Sequence, residues 1–190
     1  MKHPRTTIGA LSLSAAALVG LLAHEGYSDR AIIPVKGDRP TVGFGSTFRD
    51  DGSPVQMGDT ITPPRAVART YAHIEKDEAG IKSCVTAPVL QKEYDLLVKH
   101  SYQYGAAVTC RSPMVRHINA GNYLDACAGY LSYRYMTSRT PIAGYEAYQY
   151  DAAGKPTRWR FDCATPGNRV CGGVWTRSKE LHRQCIEAQP

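Results

Sequence analysis

Apolar and polar positions divide the chain into an apolar start, a turn-rich middle and several segments with helical spacing. The apolar start, TTIGALSLSAAALVGLLA from Thr6 to Ala23, contains no charged residue and runs almost directly into Glu25. Its length only just spans a bilayer, and its many Gly, Ala, Ser and Thr residues predict weak insertion. Lys2 and Arg5 precede the run, so we expect a cytoplasmic N-terminus.

The apolar start lacks a good cleavage site for removal as a signal peptide. The best run of small residues, Ala15-Ala16-Ala17, falls too early, and Leu21 stands where a cut after Ala23 needs a small side chain. We therefore expect residues 1–23 to remain attached, to span lipid at first and to pack as the first helix afterwards. Residues 24–190 would form the main domain.

Turn residues and helical spacing predict the elements of that domain. Short Val, Ile and Phe runs broken by Gly, Asp and Pro indicate a small β region at about residues 32–64. Thr62 and the two prolines after it indicate the start of a long helix that ends near Cys84. Further helices are predicted at about Gln91–Tyr102, Ser112–Asn119, Asn122–Tyr133 and Trp175–Ile186.

The stretch from about Met136 to Gly173 has no sustained periodicity, which predicts a long loop or irregular hairpin. Two interpretations of its aromatic residues remain open: stacking against sugar rings, or ordinary loop packing. The aromatic residues concerned are Tyr145, Tyr148, Tyr150 and Trp159.

Composition narrows the class of partner. The formal charge of +6 favours an anionic partner, namely nucleic acid, an acidic membrane or a bacterial cell wall. Nucleic acid is disfavoured because no RNP signature, zinc-finger spacing or packed basic run is present.

Six cysteines without a CxxC pair favour disulfides over a metal site, and so an oxidising compartment such as a periplasm. We expect Cys163 to pair with Cys171, the nearest neighbours in sequence. The remaining pairings are open, and buried unpaired thiols are the alternative.

A carboxylic acid at the end of an apolar helix points to glycoside hydrolysis. That reaction needs an acid that protonates the leaving oxygen, plus a second polar group that guides water, and apolar surroundings keep a carboxyl protonated. Glu25 is the candidate acid. Asp38 and Thr41, in GDRPTVGFGST, are the candidate second carboxylate and hydroxyl, and Asp29 is the rival if the helix continues beyond Glu25.

The order of several short motifs resembles the phage-type lysozymes, or endolysins, of glycoside hydrolase family 24. The motifs are EGYSDRAIIPVKGDRPTVGFGST, GDTITPPRAVAR, HINAGNYLDACAGYL and GGVWTRSKEL. The family pattern is Glu, eight residues, Asp or Cys, five residues, Thr. Glu25 and Thr41 match this pattern. Counting forward from Glu25 lands on Pro34, and counting back from Thr41 lands on Val35, because this chain has one extra residue between the two. Asp38 is the nearest acid that could substitute for the middle member.

The resemblance implies a two-lobed α+β lysozyme fold whose cleft holds a peptidoglycan strand. It implies hydrolysis of the β-1,4 bond between N-acetylmuramic acid and N-acetylglucosamine, with no metal or organic cofactor and a monomeric enzyme. The apolar start resembles a signal-anchor-release segment, which implies transient contact of residues 6–23 with the host inner membrane, at its periplasmic face, before release into the periplasm.

Two alternatives stay open at this point. A lytic transglycosylase would cut the same bond with Glu25 alone and would leave anhydro-sugar ends. A membrane-tethered wall-binding module without activity would explain the displaced aspartate.

Overall fold

The computed structural model describes residues 4–34 and 38–190, and it contains helices together with small antiparallel sheets. This confirms the α+β class. Lys2, which indicated the expected orientation, and Val35, which was reached by counting back from Thr41, lie outside the described residues. The chain divides into two compact units, Met1–Arg111 and Ser112–Pro190.

Helices and one small sheet make up the first unit. After a short 3-10 helix at Ile8–Ala10, the unit contains α1 (Ala15–Glu25), β1 (Ser28–Ile32), β2 (Thr41–Gly43), α2 (Pro63–Lys82), α3 (Gln91–Tyr104) and α4 (Ala106–Cys110). The predicted starts of α2 and α3 are confirmed, and α3 runs two residues beyond its predicted end. The short α4 was not predicted.

The prediction of a continuous first helix from Thr6 is wrong, because α1 begins only at Ala15. Upstream of it, Thr6 exchanges both backbone hydrogen bonds with Val89, at 2.8 and 2.9 Å. Ser14 caps the helix, its hydroxyl accepting from the Ala17 N–H at 3.1 Å. Among the described residues, no helix combines the length and apolar character needed to cross a bilayer.

Residues 4–14, here called the N-terminal segment, are bound by three buried carboxylates of α2 and α3. Glu78 accepts from the Leu13 N–H at 2.7 Å, and Asp95 accepts from the Ser14 N–H and hydroxyl at 3.0 and 2.7 Å. Glu93 pairs with Arg5 at 2.9 Å. We call Glu78, Glu93 and Asp95 the carboxylate clasp. Its bonds replace helical ones, which explains why helix formation is delayed to Ala15.

The β region packs on α2 through a small apolar core. Its members are Ala31, Val42, Val55, Ile61 and Ala66, with Phe44 packed against them. The β1–β2 pairing is antiparallel and irregular, with Ser28 opposite Gly43 and Ile32 opposite Thr41. Burial of Val42 fixes the face that β2 turns inward and so leaves Thr41 on the other face.

Helices also frame the second unit, and a three-stranded sheet interrupts them. The elements are α5 (Pro113–Asn119), α6 (Tyr123–Gly129), a 3-10 turn at Tyr130–Ser132, β3 (Tyr135–Ser138), β4 (Glu146–Tyr150), β5 (Pro156–Asp162) and α7 (Gly172–Glu187). The α5 helix begins one residue after the predicted Ser112 and ends at Asn119 as predicted, and Ser112 caps it by accepting from the Val115 N–H at 3.2 Å. The predicted helix Asn122–Tyr133 ends as an α-helix at Gly129.

Of the two alternatives predicted for 136–173, the irregular hairpin is closer to the structure than the long loop, because β4 and β5 pair antiparallel with shifts in register and β3 adds a third strand. The strands form an antiparallel sheet in the order β3-β5-β4. Arg160 lies over the rings of Tyr135 and Tyr148, at 4.4 and 5.4 Å, and Tyr145 packs against Phe161 at 5.7 Å. These contacts connect strands that are distant in sequence, so no local periodicity predicts them.

All six cysteines form disulfides. The expected bridge Cys163–Cys171 is confirmed, and the other two are Cys84–Cys110 and Cys127–Cys185. Each bridge lies inside one unit. In the described part of the chain, no cluster of side chains is suited to hold a metal ion.

Candidate active site

Glu25 is the last residue of α1, and the helix directs it toward the body of the first unit. Leu21 and Ala17, one and two turns earlier, are buried on that same face. Gly26 ends the helix with φ of 70°, and its N–H donates to the Leu22 carbonyl at 3.2 Å. The expected apolar setting is not found, because Glu25 is exposed where the helix ends.

The Glu25 carboxylate lies against the tight turn that follows β2. Val42 and Ser46 exchange both backbone hydrogen bonds at 3.0 Å, which closes the turn around Gly43, Phe44 and Gly45. A Cβ at Gly45 would stand 3.5 Å from Glu25 Oε2. Gly45 has φ of 78°, a conformation that side chains with a Cβ rarely adopt. The glycine therefore lets the backbone approach the carboxylate.

Thr41 begins β2, four residues before Gly45. It is half-buried and pairs with Ile32 of β1. Its hydroxyl is 3.5 Å from the Ile32 carbonyl, a length at which a hydrogen bond is weak. The hydroxyl can therefore exchange this contact for one to water or a sugar.

Asp38 is exposed and its contacts are local. Its carboxylate accepts from the N–H of Arg39 at 2.8 Å. Among the described residues, no hydrogen bond or ion pair joins Asp38 to Glu25. Asp38 stands three residues before Thr41, at the entry to the strand whose far end meets Glu25.

Asp29 loses the geometric reason that made it a rival. The helix ends at Glu25, so Asp29 lies on β1 and is not one helical turn beyond the acid. Its backbone carbonyl accepts from the Ile61 N–H at 2.9 Å, and its side chain is exposed. Asp29 therefore does not share a helical face with Glu25.

The other acids of the β region have structural roles. Asp50 pairs with Arg65 and Arg69, each at 2.6 Å, and hydrogen bonds from these guanidinium groups hold its pKa below the usual range. Arg49 does the same for Asp59 and lowers its pKa to about 2. Both carboxylates are therefore bound by arginines, and the Asp51 carboxylate accepts from the Ser53 N–H and hydroxyl at 2.9 and 2.7 Å.

Two aromatic residues around the turn were not identified from the sequence. Tyr27 packs against Phe44, with ring centroids 5.4 Å apart, and its hydroxyl donates to the Ile61 carbonyl at 2.8 Å. Tyr102, from the end of α3, donates to the Phe44 carbonyl at 3.0 Å. The sequence near Tyr102 offers one clue, namely that this tyrosine stands three residues before Gly105, which ends the helix.

Behind Tyr102 lies a His–Asp pair on α2. The His73 and Tyr102 rings are 4.8 Å apart, and His73 Nε2 is 3.6 Å from an Asp77 carboxylate oxygen. Burial raises the pKa of Asp77, and the charge of His73 opposes that rise. The His73 ring therefore packs against Tyr102 while its own Nε2 faces Asp77.

These contacts combine an exposed acid, a glycine turn beside that acid, and a weakly held hydroxyl. An acid in this setting can give a proton to a leaving oxygen, and a hydroxyl and carboxylate nearby can orient water. The chemistry requires no metal.

Comparison with known proteins gives the same class. Residues 22–157 match the family model described as phage lysozyme. The endolysin of Salmonella phage P22 is 28% identical over 124 residues, which cover 65% of this chain and 84% of that protein.

Two solved structures share the fold. An endolysin from the Escherichia coli O157:H7 phage FAHEc1 has a TM-score of 0.71 and 23% identity, covering 95% of this chain and 97% of that one. The muramidase domain of SpmX from Asticaccaulis excentricus has a TM-score of 0.67 and 16% identity, covering 95% and 99%. Since the family match spans most of the sequence and includes Glu25, Thr41 and the turn that follows β2, the chain belongs to the phage lysozyme family and is a glycoside hydrolase that acts on peptidoglycan.

Proposed function

We propose that this lysozyme acts as an endolysin, a muramidase that hydrolyses the β-1,4 bond from N-acetylmuramic acid to N-acetylglucosamine and so lyses the host cell. The observation that carries the proposal is the placement of the Glu25 carboxylate beside Gly45, on the turn that continues from Thr41. This contact joins residues 20 positions apart into one site. The positive net charge suits the anionic wall polymer.

Glu25 is the general acid in this proposal. It gives its proton to the glycosidic oxygen as the bond to the sugar carbon breaks, while water attacks that carbon from the opposite face. Asp38 accepts the proton of the water and Thr41 orients it. Inversion at the sugar carbon follows if the two carboxyl groups are far enough apart to hold that water.

Mass spectrometry of digested peptidoglycan tests these roles. Wild type should release hydrated reducing ends, and both Glu25→Gln and Asp38→Asn should lose them. Asp29→Asn is the matched control, because it makes the same change at an exposed aspartate nearby. Anhydro ends, with Asp38→Asn still active, would instead make the enzyme a lytic transglycosylase.

The N-terminal run forms the second part of the proposal. Residues 6–23 insert uncleaved and hold the enzyme inactive at the periplasmic face of the inner membrane, and release then delivers a monomer to the periplasm. Support comes from the uncharged run and from the carboxylate clasp, which binds residues 5, 13 and 14 through groups that this run cannot reach while in lipid. The disulfides suit that oxidising compartment.

A change at Gly20 tests the anchoring role with little effect on the docked form. A Cβ there would meet only the end of the flexible Lys99 side chain, at 3.6 Å. Gly20→Leu makes the run more apolar, so it should strengthen insertion and delay lysis. Gly20→Ser is the control, since it adds a side chain without apolar gain. Equal lysis times for Gly20→Leu and wild type would refute the anchoring role.

A further inference from the structure

Tyr102 makes a long-range contact with the turn on which Glu25 rests. Its half-buried side chain projects from the end of α3, and its hydroxyl donates to the Phe44 carbonyl at 3.0 Å, across 58 positions of sequence. Phenylalanine at this position could not make the bond. The hydroxyl therefore has a task separate from the packing of the ring.

The Phe44 carbonyl belongs to the peptide unit that leads into Gly45. Because a peptide unit is planar, holding its oxygen fixes the orientation of the whole unit, including the Cα of Gly45. A Cβ built on that Cα would stand 3.5 Å from Glu25 Oε2. Glycine has the widest backbone freedom, so an external bond is an effective way to restrict this turn.

The surroundings of Tyr102 keep its hydroxyl a donor. The ring is held on one side by His73, at 4.8 Å, and His73 pairs with Asp77. Burial raises the pKa of Tyr102, a hydrogen bond with Thr70 opposes that rise, and the negative charge of Glu25 adds to it. The phenol therefore stays protonated throughout the neutral range, and its bond to the turn persists there.

We infer that Tyr102 is a positioning residue for Glu25. The Tyr102 hydroxyl holds the Phe44–Gly45 peptide against the Glu25 carboxylate. It acts through the turn and does not itself exchange a proton with the substrate. The inference rests on the proposed role of Glu25 as general acid.

Steady-state kinetics on soluble glycan strands, prepared from peptidoglycan by removal of the stem peptides, test the inference. Tyr102→Phe should lower kcat about five- to tenfold, the effect of one lost neutral hydrogen bond, with KM within about twofold. Tyr104→Phe is the matched control, because it removes a hydroxyl two residues further along the same helix, where the ring packs against His100. It should leave both constants within about twofold.

The outcomes separate this inference from the proposed function. Loss of activity in Glu25→Gln together with a wild-type kcat in Tyr102→Phe would overturn the positioning role alone. A raised KM with unchanged kcat would also overturn it, since it would show a direct contact with substrate. Full activity in Glu25→Gln would overturn the proposed function instead. Should Tyr102→Phe not fold, Gly45→Ala displaces the same peptide and must lower kcat.

Discussion

Ser14 connects the N-terminal segment to the catalytic helix, so its replacement by alanine should destabilise the first unit strongly. The Ser14 hydroxyl accepts from the Ala17 N–H at 3.1 Å and donates to Asp95 Oδ2 at 2.7 Å. Asp95 is buried, with 5% of its surface exposed. Alanine removes both bonds and leaves that carboxylate with fewer donors.

The cost follows from the two lost bonds. An N-cap contributes about 1 kcal/mol, and a hydrogen bond to a charged group roughly 1.5–3 kcal/mol. Asp95 keeps its bonds from the Ser14 N–H at 3.0 Å and from the Gln91 amide at 2.9 Å, which limits the loss. We expect a decrease of about 3 kcal/mol in the free energy of unfolding, which lowers the melting temperature by roughly 6–12 °C.

Differential scanning calorimetry of the purified full-length protein measures this change. Ser12→Ala is the control, since it makes the same substitution at an exposed residue two positions earlier and should cost less than about 0.5 kcal/mol. Equal melting temperatures for Ser14→Ala and Ser12→Ala would refute the reasoning, because they would show that the bonds to Asp95 and Ala17 contribute nothing net.

Three further predictions concern the acid, a disulfide and a surface ion pair. Glu25→Gln should abolish wall hydrolysis yet raise the free energy of unfolding by about 0.5 kcal/mol, because a carboxylate faces the negative end of the helix dipole there; a thermal melt showing destabilisation would contradict this. Replacing Cys127 and Cys185 by alanine should cost about 4 kcal/mol in urea titrations, more than either other bridge, because their separation of 58 residues exceeds 26 and 8. Arg49 lowers the pKa of Asp59 from 3.8 to about 2, so this pair contributes stability above pH 4 that is lost as the pH falls through 2. Asp59→Asn should therefore reduce the dependence of the melting temperature on pH between those values. An unchanged slope of melting temperature against pH would contradict the assignment.

Elements with local signals were predictable from the sequence. Ser112 and the proline after it mark the start of α5, and the two prolines after Thr62 mark the start of α2, because capping and fixed φ act over a few residues. The bridge Cys163–Cys171 also closes a short loop. Each of these features depends on neighbours within about ten positions.

Features that depend on distant residues were not predictable. Ser14 is a suitable N-cap, but so is Ser12, and the choice of Ala15 as the helix start depends on Glu78 and Asp95, which lie 65 and 81 positions from their backbone partners. Tyr102 reaches the turn from 58 positions away. Glu25 and Thr41 could be proposed from family order, whereas the extra residue between them left Asp38 and Asp29 both open. The end of α1 at Glu25 then removed the helical argument for Asp29.

The disulfide Cys84–Cys110 constrains the part of the chain that carries the carboxylate clasp. The bridge closes a loop that contains the whole of α3, with Glu93 and Asp95, and it begins six residues after Glu78. The bridge therefore restricts the separations that the three acids of the clasp can take. Less ordering entropy then remains to be lost when residues 4–14 bind. An oxidised body presents a preorganised receptor for its own N-terminus, whereas reduction of this one bridge would weaken the receptor without touching the segment it binds.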